Sequence, residues 1–148
     1  MKSYIFNLLT FLTVIVLTAA CSTGGGHFDA NGVVLTIDGE EVARQEISTV
    51  TYTTGNSIDI EMGQSVIVAV QFLDDDMQLI TPDDPDEFLQ IVIANDSIVR
   101  LIGENRDAYT VTLEGAASGQ TNIQFEVWHG DHADYTSQPF LFNVVATE

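Results

Sequence analysis

Positive charge is almost missing from this chain. Lys2 is its one lysine, and Arg44, Arg100 and Arg106 are its only arginines, against 22 aspartates and glutamates among 148 residues. That balance works against binding nucleic acid or anionic headgroups, which both rely on basic contacts, and it favours cations. The same charge also serves solubility or tolerance of salt, so it bears on partners rather than on fold. Cysteine is reduced to Cys21, which rules out a disulfide within one molecule. Nucleophilic machinery is scarce too. There is no Gly-x-Ser-x-Gly elbow, and beyond Lys2 no lysine remains to act as a base or to form a Schiff base. No window carries a helical period. The expectation is a protein without helices that is not an enzyme.

What is present begins with an export address. Lys2 precedes an apolar run from Tyr4 to Leu17, broken only by Asn7, Thr10 and Thr13 and followed by Ala19 and Ala20. This is the pattern of a cleaved secretory signal rather than of folded structure. A run of this length would also span a bilayer, for which about 20 apolar residues suffice. The residue that follows decides between the two. Leu17-Thr18-Ala19-Ala20-Cys21 resembles the bacterial lipobox, which implies lipidation of Cys21 and cleavage just before it; Thr18 stands where that motif most often has leucine. The alternative is a plain secreted protein with a free thiol. Ser22 resembles the sorting residue of lipoproteins sent on to the outer membrane, where the cell has one. The expected organisation is a signal peptide over residues 1–20, a lipidated cysteine and glycine-rich flexible tether over 21–27, and one domain over 28–148. Removing the signal leaves 128 of the 148 residues and three arginines against 22 acidic residues, a net charge of −19.

Beyond the tether, valine, isoleucine, threonine and phenylalanine recur in short runs with a period of two, which predicts strands over 33–37, 42–45, 47–53, 65–73, 88–94, 97–102, 109–113, 121–128 and 140–145. Turn chemistry separates them, as in Asp38-Gly39, Gly55-Asn56 and Ser118-Gly119. Short strands at this spacing predict an all-β antiparallel sandwich. Val66, Val68, Val70 and Phe72 should share a core face, as should Ile123, Phe125 and Val127, with Asn122, Gln124 and Glu126 outward.

The segments EMGQSVIVAVQFLDDD (61–76) and IANDSIVRLIGENRDAYTVTLEGAASGQTNIQFEV (93–127) resemble the opening and the latter half of bacterial immunoglobulin-like domains of group 2. The resemblance covers residues 62–145 and implies an immunoglobulin-like sandwich. Two stretches depart from that pattern, the aspartate-rich connection over 74–86 and the histidine segment. With these, FLDDDMQLITPDDPDEF and HGDHADYTSQPFLFNVV look like a group of uncharacterised bacterial lipoproteins. That likeness implies a cell-envelope location on a lipid anchor and a fold, but no activity.

The sharpest candidate for chemistry is His129-Gly130-Asp131-His132-Ala133-Asp134-Tyr135, which holds two of the three histidines. On one strand, residues three apart face opposite sides, so His129 and His132 converge only if the segment forms a hairpin loop, as Gly130 and the aspartates indicate. Imidazole and carboxylate suit zinc, copper, nickel or iron, and four such donors at about 2.0–2.2 Å complete a tetrahedral zinc site. His27 joins this end if 33–37 is the first sandwich strand and runs parallel beside 140–145. If 33–45 is instead an added hairpin, with 47–60 as the first sandwich strand, His27 has no assignable place. The candidate metal set is therefore His27, His129, His132 and Asp134. The plain alternative is solvated loop histidines, with Tyr135 packing as a corner residue. The order His129-x-x-His132-x-Asp134 also differs from the His-x-His-x-Asp-His order of metallo-hydrolases.

Asp74, Asp75 and Asp76, with Asp83, Asp84 and Asp86, form a weaker candidate for calcium, which takes roughly six to eight oxygens. They lack the glycine and distal glutamate of the usual calcium loop, and a solvated turn guarding a sheet edge explains them as well. Two function classes stay open: a metal-binding envelope lipoprotein, and an immunoglobulin-like structural or adhesion module presenting loops to an envelope protein or a glycan.

Overall fold

The computed structural model describes residues 27–146. The expected signal peptide over 1–20 and the expected lipidation of Cys21 lie outside the described residues. Twelve strands and no helix form the described part. In chain order they are β1 (Gly32–Ile37), β2 (Glu40–Glu46), β3 (Thr49–Tyr52), β4 (Ile58–Glu61), β5 (Ser65–Leu73) and β6 (Leu79–Ile80). They continue with β7 (Glu87–Ile93), β8 (Val99–Asn105), β9 (Thr110–Gly115), β10 (Gly119–His129), β11 (His132–Thr136) and β12 (Phe140–Val145).

The strands form two sheets. One runs β3-β2-β1-β5-β9-β8, with β6 paired to the last residues of β5; the other runs β11-β10-β12-β4, with β7 along the opposite edge of β10. The pairs are antiparallel except β4 with β12, which is parallel in the register Phe142↔Ile58 to Val145↔Glu61. Of the two expected arrangements, this excludes 33–37 beside 140–145 and agrees with the one in which 33–45 is an added hairpin and the end of the 47–60 segment takes that place. The strand over 33–37 instead lies in the other sheet, antiparallel to β2 and β5. The reason is local. Asp38 and Gly39 both take positive φ, 53° and 81°, the two-residue turn whose twist suits a tight hairpin, so β1 must fold back on β2.

Each of the nine expected strands has a counterpart. Three further strands escaped the periodicity, each for its own reason. β4 is four residues long, β6 is two, and β11 reads HADYT with no apolar alternation. The expected strand over 47–53 starts late, at Thr49, because Ile47 sits in a turn with φ 56°.

The core lies between the sheets and follows the period of two. Val68, Val70 and Phe72 of β5 and Val33 and Leu35 of β1 face Ile123, Phe125 and Val127 of β10 and Phe140 and Phe142 of β12, all buried. Val66 is half-buried, because it borders an open cavity that it lines with Val42, Thr53 and Ile58. At the other end of β5, Phe72 meets Phe28, Tyr109 and Tyr135 edge-on, with ring centroids 5.2, 5.7 and 5.8 Å apart. Burial pushes the phenols of both Tyr109 and Tyr135 up to about 12, so both are neutral at any ordinary pH. Such pairs add about 0.5–1.5 kcal/mol each beyond area burial. Phe72→Ala removes all three and leaves a cavity at 1 % exposure, and it is expected to cost about 3–5 kcal/mol. Urea denaturation followed by circular dichroism reads this directly, and a loss under about 1 kcal/mol would contradict the packing described.

Candidate metal centre

The site begins at a hairpin. β10 ends at His129 and β11 begins at His132, and the two are directly paired across the ladder. Gly130 and Asp131 make the turn. Gly130 takes φ 61°, which glycine adopts without strain at the first central position of a two-residue hairpin turn. The hairpin loop expected over 129–135 is thus a tight two-residue hairpin, in which the two histidines meet as cross-strand partners.

One turn-length further from the tip the ladder slips. Tyr135 faces Val127 while Ala133 faces Trp128, which leaves Asp134 as the extra residue of a β-bulge. A bulge re-aims its side chain, and here it turns Asp134 into the sandwich end, where its side chain is fully covered. Oδ1 accepts a hydrogen bond from His27 Nδ1 at 2.9 Å and lies 3.0 Å from His132 Nε2. Oδ2 accepts the Phe28 N–H at 3.1 Å and lies 3.8 Å from His129 Nδ1. The His27 and His132 rings stand 5.6 Å apart, and His129 and His132 are separated by 6.0 Å. All three histidines of the chain therefore surround one carboxylate.

His27 reaches this point by a different route from the one expected. No strand carries it there. Phe28 does, by packing on Phe72 and by donating its backbone N–H to Asp134. The signal was present in the sequence as an aromatic directly after the histidine, but its partner lies far along the chain and no local period reveals it.

A second group lies beside the first. Asp84, Asp86 and His129 each offer one ligand atom, and these atoms lie within 4.8 Å of one another, as do those of His27, His132 and Asp134. His129 Nε2 is 4.0 Å from Asp84 Oδ1. Asp74, Asp75, Asp76 and Asp83 join neither group. The Asp74 carboxylate is taken up by the β5–β6 turn, accepting the N–H groups of Asp76 at 2.9 Å and Gln78 at 2.8 Å. Glu87, which sequence reading passed over, is buried at the start of β7 and accepts the Asp84 N–H at 3.3 Å. Its inward face is legible afterwards from the alternation Glu87, Leu89, Ile91 along the strand.

The charges shape one another. The hydrogen bond to Asp134, and then its negative charge, raise His27 above the usual imidazole value. Burial pushes Asp134 up, but the His27 and Phe28 hydrogen bonds and the charges of His27 and His132 outweigh it and hold the carboxyl below its usual range. Asp131 is lowered by its hydrogen bond to His132, and Glu87 is raised, mainly by burial and then by Asp84 and Asp134.

No protein-family model matches the sequence, and no curated protein matches it. Among solved structures it is similar to domains 5 and 6 of the S-layer protein SbsC, with 20% identity over 62% of this chain and 40% of that one and a TM-score of 0.41. Domains 4 and 5 of SbsC align at 16% identity over 77% of each chain, with a TM-score of 0.41. A structure of SbsC domains 1–6 aligns at 16% identity over 78% of this chain and 20% of that one, at 0.42. The overlap is partial, and no residue of the cluster takes a role from it.

Asp134→Ala tests the electrostatics. A raised histidine pKa contributes stability that is fully present below the unfolded value of about 6.5 and is lost as pH rises through the folded value. The variant should therefore lose more stability at pH about 5.5 than at about 8.5 when both are measured by urea unfolding. An equal loss at both would mean that His27 does not depend on Asp134.

Proposed function

We propose that this chain is a non-enzymatic, lipid-anchored protein of the cell envelope whose immunoglobulin-like sandwich binds a zinc-like divalent ion through His27, His132 and Asp134, with His129 alongside. The observation that carries the reading is the covered Asp134 carboxylate with every imidazole of the chain turned toward it. Two ligands on one tetrahedral ion at about 2.1 Å stand about 3.4 Å apart. The nitrogens of His27 and His132 are 2.9 and 3.0 Å from Asp134 Oδ1, so each ring needs to move outward by only a few tenths of an ångström. Water fills the fourth position, since His27 and His132 are both open to solvent.

Without an ion, a ring nitrogen that faces Asp134 is held by the proton it carries. An ion takes the place of those protons, so binding releases them and competes with acid. Imidazole selects transition ions over calcium, whose partners are oxygens. The acidic surface adds attraction for any cation, but that attraction is screened over about 8 Å at physiological salt and confers no preference. The envelope location and the anchor rest on the export run and LTAAC ending at Cys21.

Calorimetric titration of zinc into the full chain in mild detergent tests this reading. His27→Ala/His132→Ala should weaken binding by roughly two orders of magnitude or more, since it removes two of three protein ligands. Affinity should also fall with pH from above the ordinary imidazole value of about 6.5, because Asp134 favours protonated His27. Equal, weak and salt-sensitive binding in both proteins would leave a diffuse acidic surface and favour an adhesion or interaction module instead. The anchor is tested separately: Cys21→Ala should abolish incorporation of labelled palmitate, and unchanged labelling would reject it.

A further inference from the structure

The first ion does not exhaust the ligands at this end of the molecule. We propose that Asp84, Asp86 and His129 hold a second divalent cation, making a two-ion centre whose halves are joined through Asp134. The proposal deepens the reading above and rests on it for the role of Asp134 as ligand of the first ion.

The geometry of His129 is the starting point. Its ring lies between two carboxylates, with Nδ1 3.8 Å from Asp134 Oδ2 and Nε2 4.0 Å from Asp84 Oδ1. A neutral imidazole carries one N–H and one lone pair. With Nδ1 turned to Asp134, Nε2 faces Asp84, and the one imidazole nitrogen and two carboxylate oxygens offered by His129, Asp84 and Asp86 lie within 4.8 Å of one another, a donor set that a single divalent ion can bridge. A carboxylate behind a histidine fixes its tautomer and raises its basicity toward a metal in front, which is the usual support of a histidine ligand. Asp134 then stands between the two halves, with Oδ1 in the first donor set and Oδ2 on the Nδ1 side of His129, 3.8 Å away.

Charge balance points the same way. The end of the sandwich gathers Asp84, Asp86, Glu87 and Asp134, of which Asp86 is exposed, Asp84 half-buried, and Glu87 buried. Arg44 pairs with Glu41 and Glu46 and Arg100 with Glu114, away from this end, while Arg106, paired with Glu104, reaches over Phe88 and lines a cavity with Asp86 and Glu87. A single ion at His27, His132 and Asp134 leaves the donor set of Asp84, Asp86 and His129 unused. Two carboxylates and one imidazole make this half the more oxygen-rich, so it takes a harder divalent ion than its neighbour and accepts manganese as well as zinc.

Native mass spectrometry of the full chain released from mild detergent, with zinc in excess, counts the ions. The expected result is two in the wild type, one in Asp84→Asn/Asp86→Asn and one in His27→Ala/His132→Ala, each variant keeping its far-ultraviolet strand spectrum. One ion in the wild type that persists in the aspartate variant and vanishes in the histidine variant overturns the second site and leaves the first intact. One ion that vanishes in the aspartate variant and persists in the histidine variant overturns the first reading and supports the aspartate site alone. Two ions in both the wild type and the aspartate variant overturn the proposal by removing Asp84 and Asp86 from the ligand set.

Discussion

The ring of Phe72 holds together most of what is particular about this sandwich. It is fully buried at the end of β5, and three other rings meet it edge-on. Each of them carries a polar group to the same place. Phe28 brings His27 and a backbone N–H, Tyr135 brings Asp134 as its neighbour in the chain, and Tyr109 stands close enough to Glu87 for that charge to raise its phenol. Aromatic packing thereby gathers carboxylates that on their own repel one another. The apolar contact is worth several times what an exposed ion pair contributes, so it wins over the repulsion.

The bulge at Asp134 converts that gathering into a directed arrangement. In a regular strand the neighbours of an inward tyrosine point away from it, and a carboxylate there faces solvent. One extra residue relaxes the alternation and lets Tyr135 pack on Phe72 while Asp134 stays covered at the same end. Past the bulge the backbone resumes its place beside β10 through Ser137, whose hydroxyl accepts the Phe125 N–H and whose own N–H bonds the Phe125 carbonyl, both at 2.9 Å. β11 and β12 thus act as one broken strand along a single edge of β10.

How much of this was legible depends on the range of the signal. The period of two found the long strands, with β5 and β12 to the residue, because burial on one face writes itself every second position. It missed β11, whose residues carry the histidine cluster rather than a core, and it left the neighbour of 140–145 open between two strands, since pairing between distant segments leaves no mark in either one. The histidine pair and Asp134 were legible from spacing alone. His27 was named for a reason the fold does not use, and its real anchor, Phe28 on Phe72, joins residues 44 positions apart. The partnership of His129 with Asp84 and Asp86 was out of reach, because the two segments meet only through the pairing of β7 with β10, where Glu87 stands opposite His129.

The route by which the chain enters the domain gives the cluster a mechanical side. Whatever precedes residue 27 pulls on the domain through His27 and Phe28, and these are held by Asp134 of the opposite sheet and by Phe72 of their own. A load applied there does not peel β1 from its neighbours at once. It must first break a contact that ties the two sheets together, so the leading segment is latched across the sandwich, and the strength of the latch follows whatever sits between His27 and Asp134.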